Sequence, residues 1–106
     1  GYGVSGGVFK AAFRFHSHQS ANWASSVNVA AANSQPGDIV VLEVQLPCPF
    51  TNSSVCPMEG RQDVFDAVRN ATLAGIHVIA AAGNGNRDLD AAVYNGVFDR
   101  NVRDSG

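Results

Sequence analysis

The chain has 106 residues, 45% of them hydrophobic, 15% charged and 8% aromatic, with a formal net charge of −2. That is the composition of one small globular domain, and it excludes a polar disordered tail, which could not offset the entropy of ordering. The seven basic residues are scattered, so no nucleic-acid partner is expected, and the apolar run at 76–82 is far too short to cross a bilayer, so no membrane partner is expected either. No basic-then-apolar leader opens the chain, which starts at Gly1 rather than Met. The expectation is a processed, tag-cleaved or excised segment.

Residues 1–7 form a glycine-dense entry. Val8, Phe13 and Phe15 alternate with Lys10 and Arg14, which predicts a strand over 8–15. Ser20 is the expected N-cap of a helix reaching about Asn33, with Trp23, Val27, Ala30 and Ala31 on one face, and Pro36-Gly37 stops it. The near-continuous β-branched run at 38–45 predicts a strand buried on both faces, as in a parallel sheet.

A loop is expected over 46–60, where three of the four prolines and both cysteines lie. The clearest helix is predicted over 61–74. Val64, Phe65, Val68, Ala71 and Thr72 are its buried stripe, Asp63 and Asp66 sit near the positive end of its dipole, and Gly75 is a natural residue just past its end. Residues 76–82 predict a second strand buried on both faces, ending abruptly at Gly83-Asn84-Gly85-Asn86. Residues 87–106 are polar, with only Val93, Phe98 and a few neighbours to pack, and are expected as a surface excursion. Strand, helix, strand, helix, strand in that order predicts a single α/β unit over 1–106, a parallel-sheet βαβαβ segment.

Several motifs match in spelling only. Gly1-Tyr2-Gly3-Val4-Ser5-Gly6 spells the dinucleotide fingerprint, and Gly3-Val4-Ser5-Gly6-Gly7 spells the nucleophile elbow. Both need a strand before and a helix after, and here nothing precedes and a strand is expected to follow. His16-Ser17-His18 could present two imidazoles to a metal, but no third ligand is placed by the sequence, and two solvated histidines at a strand exit is the plainer assignment. His77 is expected as a core or boundary histidine. Asp88 and Asp90 are the only close acidic pair of the kind calcium uses, and no metal or cofactor is assigned.

Cys48 and Cys56 have seven residues between them, a spacing that suits a local disulfide worth ~2–3 kcal/mol in the chain-entropy model. Two free thiols in a reducing compartment is the other reading, and both stand at this stage. Asn52 and Asn70 open sequons that matter only in a eukaryotic secretory route.

Among the acids, Asp38 suits the start of a strand and Glu59 the approach to a helix N-terminus. Glu43 interrupts an apolar run, and if buried it must be paired, hydrogen-bonded or protonated. It lies near the carboxyl end of a predicted parallel strand, where open α/β sheets place their ligands. The strongest signal is Gly75-Ile76-His77-Val78-Ile79-Ala80-Ala81-Ala82-Gly83-Asn84-Gly85. A predicted strand runs through small residues into glycine and then presents an asparagine at the sheet's carboxyl edge. Small residues let a ligand or backbone approach closely, and a fixed side-chain amide can donate to an oxyanion without carrying charge. A plain glycine–asparagine turn closing a strand fits the same residues.

At Ala81-Ala82-Gly83-Asn84, after the helix and Gly75-Ile76-His77-Val78-Ile79, the sequence resembles the subtilisin-like serine peptidases. Pro36-Gly37-Asp38-Ile39-Val40-Val41-Leu42 is similar to the family strand leading into one wall of the substrate cleft, and Gly3 to Phe15 to the strand after the catalytic-histidine helix. The resemblance implies a segment of the family's three-layer fold, with Asn84 as the oxyanion donor. It also implies that Glu43, Val44 and Gln45 form one cleft wall and Ala81, Ala82 and Gly83 the other, the partner being a peptide or protein substrate. Glu43 and Gln45 replace the small residues usual in that wall. The family's catalytic Asp, His and Ser motifs do not occur in these residues, and Asp104-Ser105-Gly106 lacks the helix its nucleophile opens. The triad would come from sequence outside this chain, and the 106 residues alone are expected not to hydrolyse peptides. A different class also fits: a stand-alone, non-catalytic α/β binding domain that pairs its exposed sheet edges in a homo-oligomer.

Overall fold

The computed structural model describes residues 10–17, 22–51 and 55–106. Helix α1 spans Trp23–Ala32, strand β1 Ile39–Leu42, β2 Gln45–Pro47, β3 Val55–Pro57, helix α2 Gln62–Leu73 and strand β4 His77–Ala80, with short 3₁₀ turns at Met58–Gly60 and Ala92–Tyr94. The chain is thus mixed α/β. β1 and β4 pair in parallel, with Ile39 opposite His77 and Leu42 opposite Ala80, while β2 and β3 form a separate antiparallel hairpin.

Each helix is fixed at one end. Asn22 caps α1, its Oδ1 accepting from the Ser25 N–H at 3.1 Å; the expected cap, Ser20, lies outside the described residues. Past α2, Gly75 takes φ +81°, and the Gly75 and Ile76 N–H groups donate back to the Thr72 and Ala71 carbonyls at 2.9 and 3.1 Å. This is the Schellman arrangement, in which a left-handed residue satisfies carbonyls the helix leaves open. It turns the chain directly into β4.

Val64, Phe65, Ala67, Val68 and Ala71 bury the inner face of α2, and Val27 and Ala30 that of α1. Both helices lie on one side of the β1–β4 pair. Val27, Val64 and Val68 pack with half-buried Leu42 and Val78, while Ala30 and Ala71 pack with Val40 and Ile76. The opposite sheet face is open: Ile39, Val41 and Ile79 are 61%, 63% and 55% exposed, and His77 is exposed.

This corrects the expectation of two strands buried on both faces. Period-two alternation sends Ile39, Val41, His77 and Ile79 away from the helices, and the described residues place nothing over them. His77 is therefore not a core residue. A second correction concerns residues 10–15, which form no strand, and where Phe13 and Phe15 are exposed; the rest of that expected strand lies outside the described residues. A third concerns 46–60, which folds as the β2–β3 hairpin and a 3₁₀ turn instead of a plain loop.

The C-terminal stretch is anchored more firmly than its polarity implies. Tyr94, 2% exposed, packs edge-on against Phe50 and Phe98, with centroids 5.9 and 5.5 Å away. Val93, the expected anchor, is exposed. Arg103 lies 4.2 Å from the Phe65 ring centre and donates to the carbonyls of Val97 and Glu59 and to Gln62 Oε1. Glu59 accepts from the Ser105 hydroxyl, so its carboxylate ties down the chain end as well as lying before α2.

Gly75→Ala should destabilise the chain by ~1–2 kcal/mol, the cost of a side chain in the left-handed region. A Cβ there would also come 3.1 Å from the Pro36 Cβ. Urea denaturation measures the loss, and an unchanged midpoint would mean that the chain leaves α2 by another route.

Candidate functional site

The parallel pairing brings two chain exits side by side. β1 leaves through Glu43 and Val44, and β4 leaves through Ala81, whose N–H still donates to the Leu42 carbonyl at 3.0 Å. These are the carboxyl ends of adjacent parallel strands, the edge where open α/β sheets bind ligands.

The two exits are tied together by a side chain. Gln45 Oε1 accepts from the backbone N–H of Asn84 at 2.6 Å, across 39 positions of sequence. The Asn84 residue itself is exposed. Gln45 thus binds the asparagine's backbone and leaves its amide side chain available to a ligand.

Glycine is required beside it for two reasons. Gly83 has φ +87°, a conformation L side chains rarely adopt. At Gly85, a Cβ would fall 2.2 Å from the Val55 carbonyl oxygen, so only glycine lets the segment lie against β3. A Cβ at Gly83 would lie 3.5 Å from the Cys56 carbonyl carbon and 3.6 Å from Gln45 Oε1. The segment 83–85 therefore rests on the β2–β3 hairpin.

Of the residues expected in the site, Gln45, Gly83 and Asn84 meet directly, while Ala81 bonds to Leu42 where the strand pairing ends. Val44 packs its side chain against the main core, so only its backbone is available as a wall. Glu43 is exposed, and the condition set for a buried carboxylate does not arise. Ala82 and Gly83 line a 410 Å³ concavity with Val55, Gly85, Asn86 and Arg87, whereas Glu43, Val44, Gln45 and Asn84 lie outside its lining.

Val55 and Cys56, which seat the segment, were not among the expected site residues. Their link to Gly83 and Gly85 depends on hairpin pairing that Pro47, Pro49 and Pro57 obscure in the sequence. Asp38 accepts from the Gln35 N–H at 2.8 Å, closing the turn before β1. His16 is exposed, while His18, Asn52 and the glycine motifs of residues 1–7 lie outside the described residues; Asn70 is exposed on α2. Among the described residues, no group of three or more His, Cys, Asp or Glu is placed to hold a metal, and no helix is long and apolar enough to cross a membrane.

No protein-family model, no curated protein and no solved structure matches the chain.

Deleting the Gln45 acceptor should free the Asn84 N–H. In Gln45→Ala, hydrogen exchange at Asn84 is expected to quicken about fivefold, the equivalent of ~1 kcal/mol, whereas Gln45→Glu keeps an acceptor and retains protection. Equal exchange in wild type and Gln45→Ala would show that other contacts hold the strand end.

Proposed function

We propose that this chain is the central α/β segment of a subtilisin-like serine endopeptidase, in which Asn84 donates to the oxyanion formed during peptide-bond cleavage. The observation that carries this reading is the Gln45–Asn84 hydrogen bond. It joins the two segments expected as cleft walls, at the edge of a parallel sheet, and leaves an exposed carboxamide beside glycine-lined backbone.

The chemistry follows from what such an amide can do. Attack of a serine hydroxyl on a peptide carbonyl places negative charge on oxygen, and the Asn84 Nδ2–H would donate to that oxygen as charge develops. Residues 43–45 on one side and 81–83 on the other would flank the substrate backbone. Subtilisin's own loss on removing one oxyanion donor is ~2.7–4 kcal/mol, set against the ~8–23 kcal/mol by which enzymes lower barriers. An oxyanion donor therefore supplies a fraction of catalysis. The nucleophile and base of the acyl-enzyme route belong, under this proposal, to sequence beyond these 106 residues.

One observation favours a second reading. The open sheet face with Ile39, Val41 and Ile79 is a surface that a partner could cover, as in a non-catalytic α/β binding domain that self-associates. The peptidase reading instead covers this face with more of its own chain.

Asn84→Ala does separate them. Made in the protein expressed from its intact gene, it should lower kcat about 10²–10³-fold with KM nearly unchanged. Wild type should label with a fluorophosphonate directed at an activated serine. Absence of labelling and of peptide hydrolysis in the intact wild-type protein would overturn the peptidase reading and leave the binding domain.

A further inference from the structure

The β2–β3 hairpin carries both cysteines on its buried side. Cys48 directly follows β2, and its side chain is buried like that of Leu46. Cys56 is the residue directly opposite Leu46. Leu46, Cys48 and Cys56 are all buried, the two cysteines 7% and 1% exposed. Cys48 and Cys56 are both free thiols and pack into one buried cluster with Tyr94.

Their surroundings hold them together. Tyr94 completes the buried cluster, with Phe50 and Phe98 packed against it. At Gly60, an added Cβ would come 3.2 Å from Cys56 Sγ, so that glycine keeps the wall close. Pro47 and Pro49 flank Cys48, and Pro57 follows Cys56. Each proline ring fixes its own φ and leaves the thiol-bearing chain few other conformations.

A paired, buried dithiol has few uses. A metal centre would need further ligands, and the described residues supply no group of three. The two thiols also differ. Burial pushes the Cys56 thiol up to about 12, helped by its hydrogen bond to Cys48 and by that neighbour's charge. Burial likewise pushes Cys48 up, but hydrogen bonds from Cys56, Phe50 and Thr51 outweigh it and hold Cys48 below the usual thiol value. Cys48 is the thiol that ionises first, and it is also the less buried.

We propose that Cys48 and Cys56 are a disulfide-forming pair, oxidised by exchange with a small-molecule disulfide, and that the bond locks the hairpin beneath Gly83 and Asn84. The Cys48 thiolate attacks one sulfur of the reagent, whose S–S bond breaks and releases one thiol. Cys56 then loses its proton and attacks Cys48 sulfur, releasing the second thiol. Two protein thiols are oxidised, the reagent is reduced to two thiols, and both protons leave with them. The lock bears on the candidate site because Cys56 backbone is what the Gly83 segment rests on. The disulfide itself does not rest on the peptidase reading.

Mass spectrometry of the native, reduced protein after exposure to oxidised glutathione and quenching with iodoacetamide tests the proposal. The expected product is lighter than the reduced protein by two hydrogens, with the Cys48 and Cys56 peptides joined and no glutathione retained. Cys56→Ser, which lacks the resolving thiol, should instead keep one glutathione on Cys48. Wild-type protein that is alkylated at both thiols, or that retains glutathione without joined peptides, overturns the pairing. The oxidised form should also melt higher than the reduced form, by on the order of 10 °C for a domain of this size. The Cys48→Ala/Cys56→Ala double variant should show no response to the oxidant. Equal melting temperatures of the two wild-type forms would overturn the lock. None of these readouts uses peptidase activity, so failure here is separate from failure of the peptidase proposal.

Discussion

Parallel pairing of Ile39–Leu42 with His77–Ala80 is the constraint on which the rest depends. Two parallel strands cannot be joined by a tight turn, so the chain must travel away and return. The journey holds the β2–β3 hairpin and α2. The return is set at one point, where Gly75 ends α2 and its carbonyl accepts from the Gly37 N–H at 2.8 Å, just before β1 begins. From there the register follows, and both strands end together, at Leu42 and Ala80. Everything described as a site is the consequence of two exits lying side by side.

What could be read from the sequence divides by the range of the interaction concerned. α2 is a local object: its apolar stripe recurs at helical spacing, its glycine stop is adjacent, and it forms within a residue of the expected span at each end. The β-branched runs announce strands but not their faces. Ile39 and Val41 are as apolar as Val40, and composition alone implies burial all round. Only the position of both helices on one side shows which half of the alternation faces outward. The hairpin was hidden for a different reason. Its strands have only three residues each, and Pro47 and Pro57 lie within them, although proline lacks the N–H of a ladder donor. Tyr94 is illegible in the sequence because an isolated aromatic in a polar stretch carries no periodic signal.

The site shows the same split. Small residues running into Gly83-Asn84 mark close backbone approach, and the Cβ distances at Gly83 and Gly85 give the cause. The surface those glycines approach, Val55 and Cys56, lies about thirty positions earlier in the chain, and no local pattern connects the two. Gln45 was expected as a wall, and its bond to the Asn84 N–H converts it from lining into the tie between the walls. Glu43 stood out in the sequence because a charge interrupted an apolar run, and its exposure removes the anomaly.

The chemical character of that tie bears on the proposed oxyanion donor. An acceptor is needed to hold the Asn84 backbone, and a carboxylate would serve geometrically. A full negative charge this close would oppose the charge developing on the substrate oxygen. A neutral carboxamide supplies the acceptor without that opposing field. Glu43, only two residues from Gln45, is exposed, where solvent and salt screen its charge. The neutral side chain is thus the one that touches the asparagine segment, and the charged one stays in water. That arrangement suits a site that must stabilise negative charge, and the Gln45→Glu variant carries the contrast: it keeps the hydrogen bond and adds the charge. In the intact protein, the peptidase reading therefore expects slower turnover from Gln45→Glu even though Asn84 stays protected from exchange. Kinetics and exchange on that one variant distinguish holding the backbone from tuning the field, and turnover equal to wild type would leave the holding role alone.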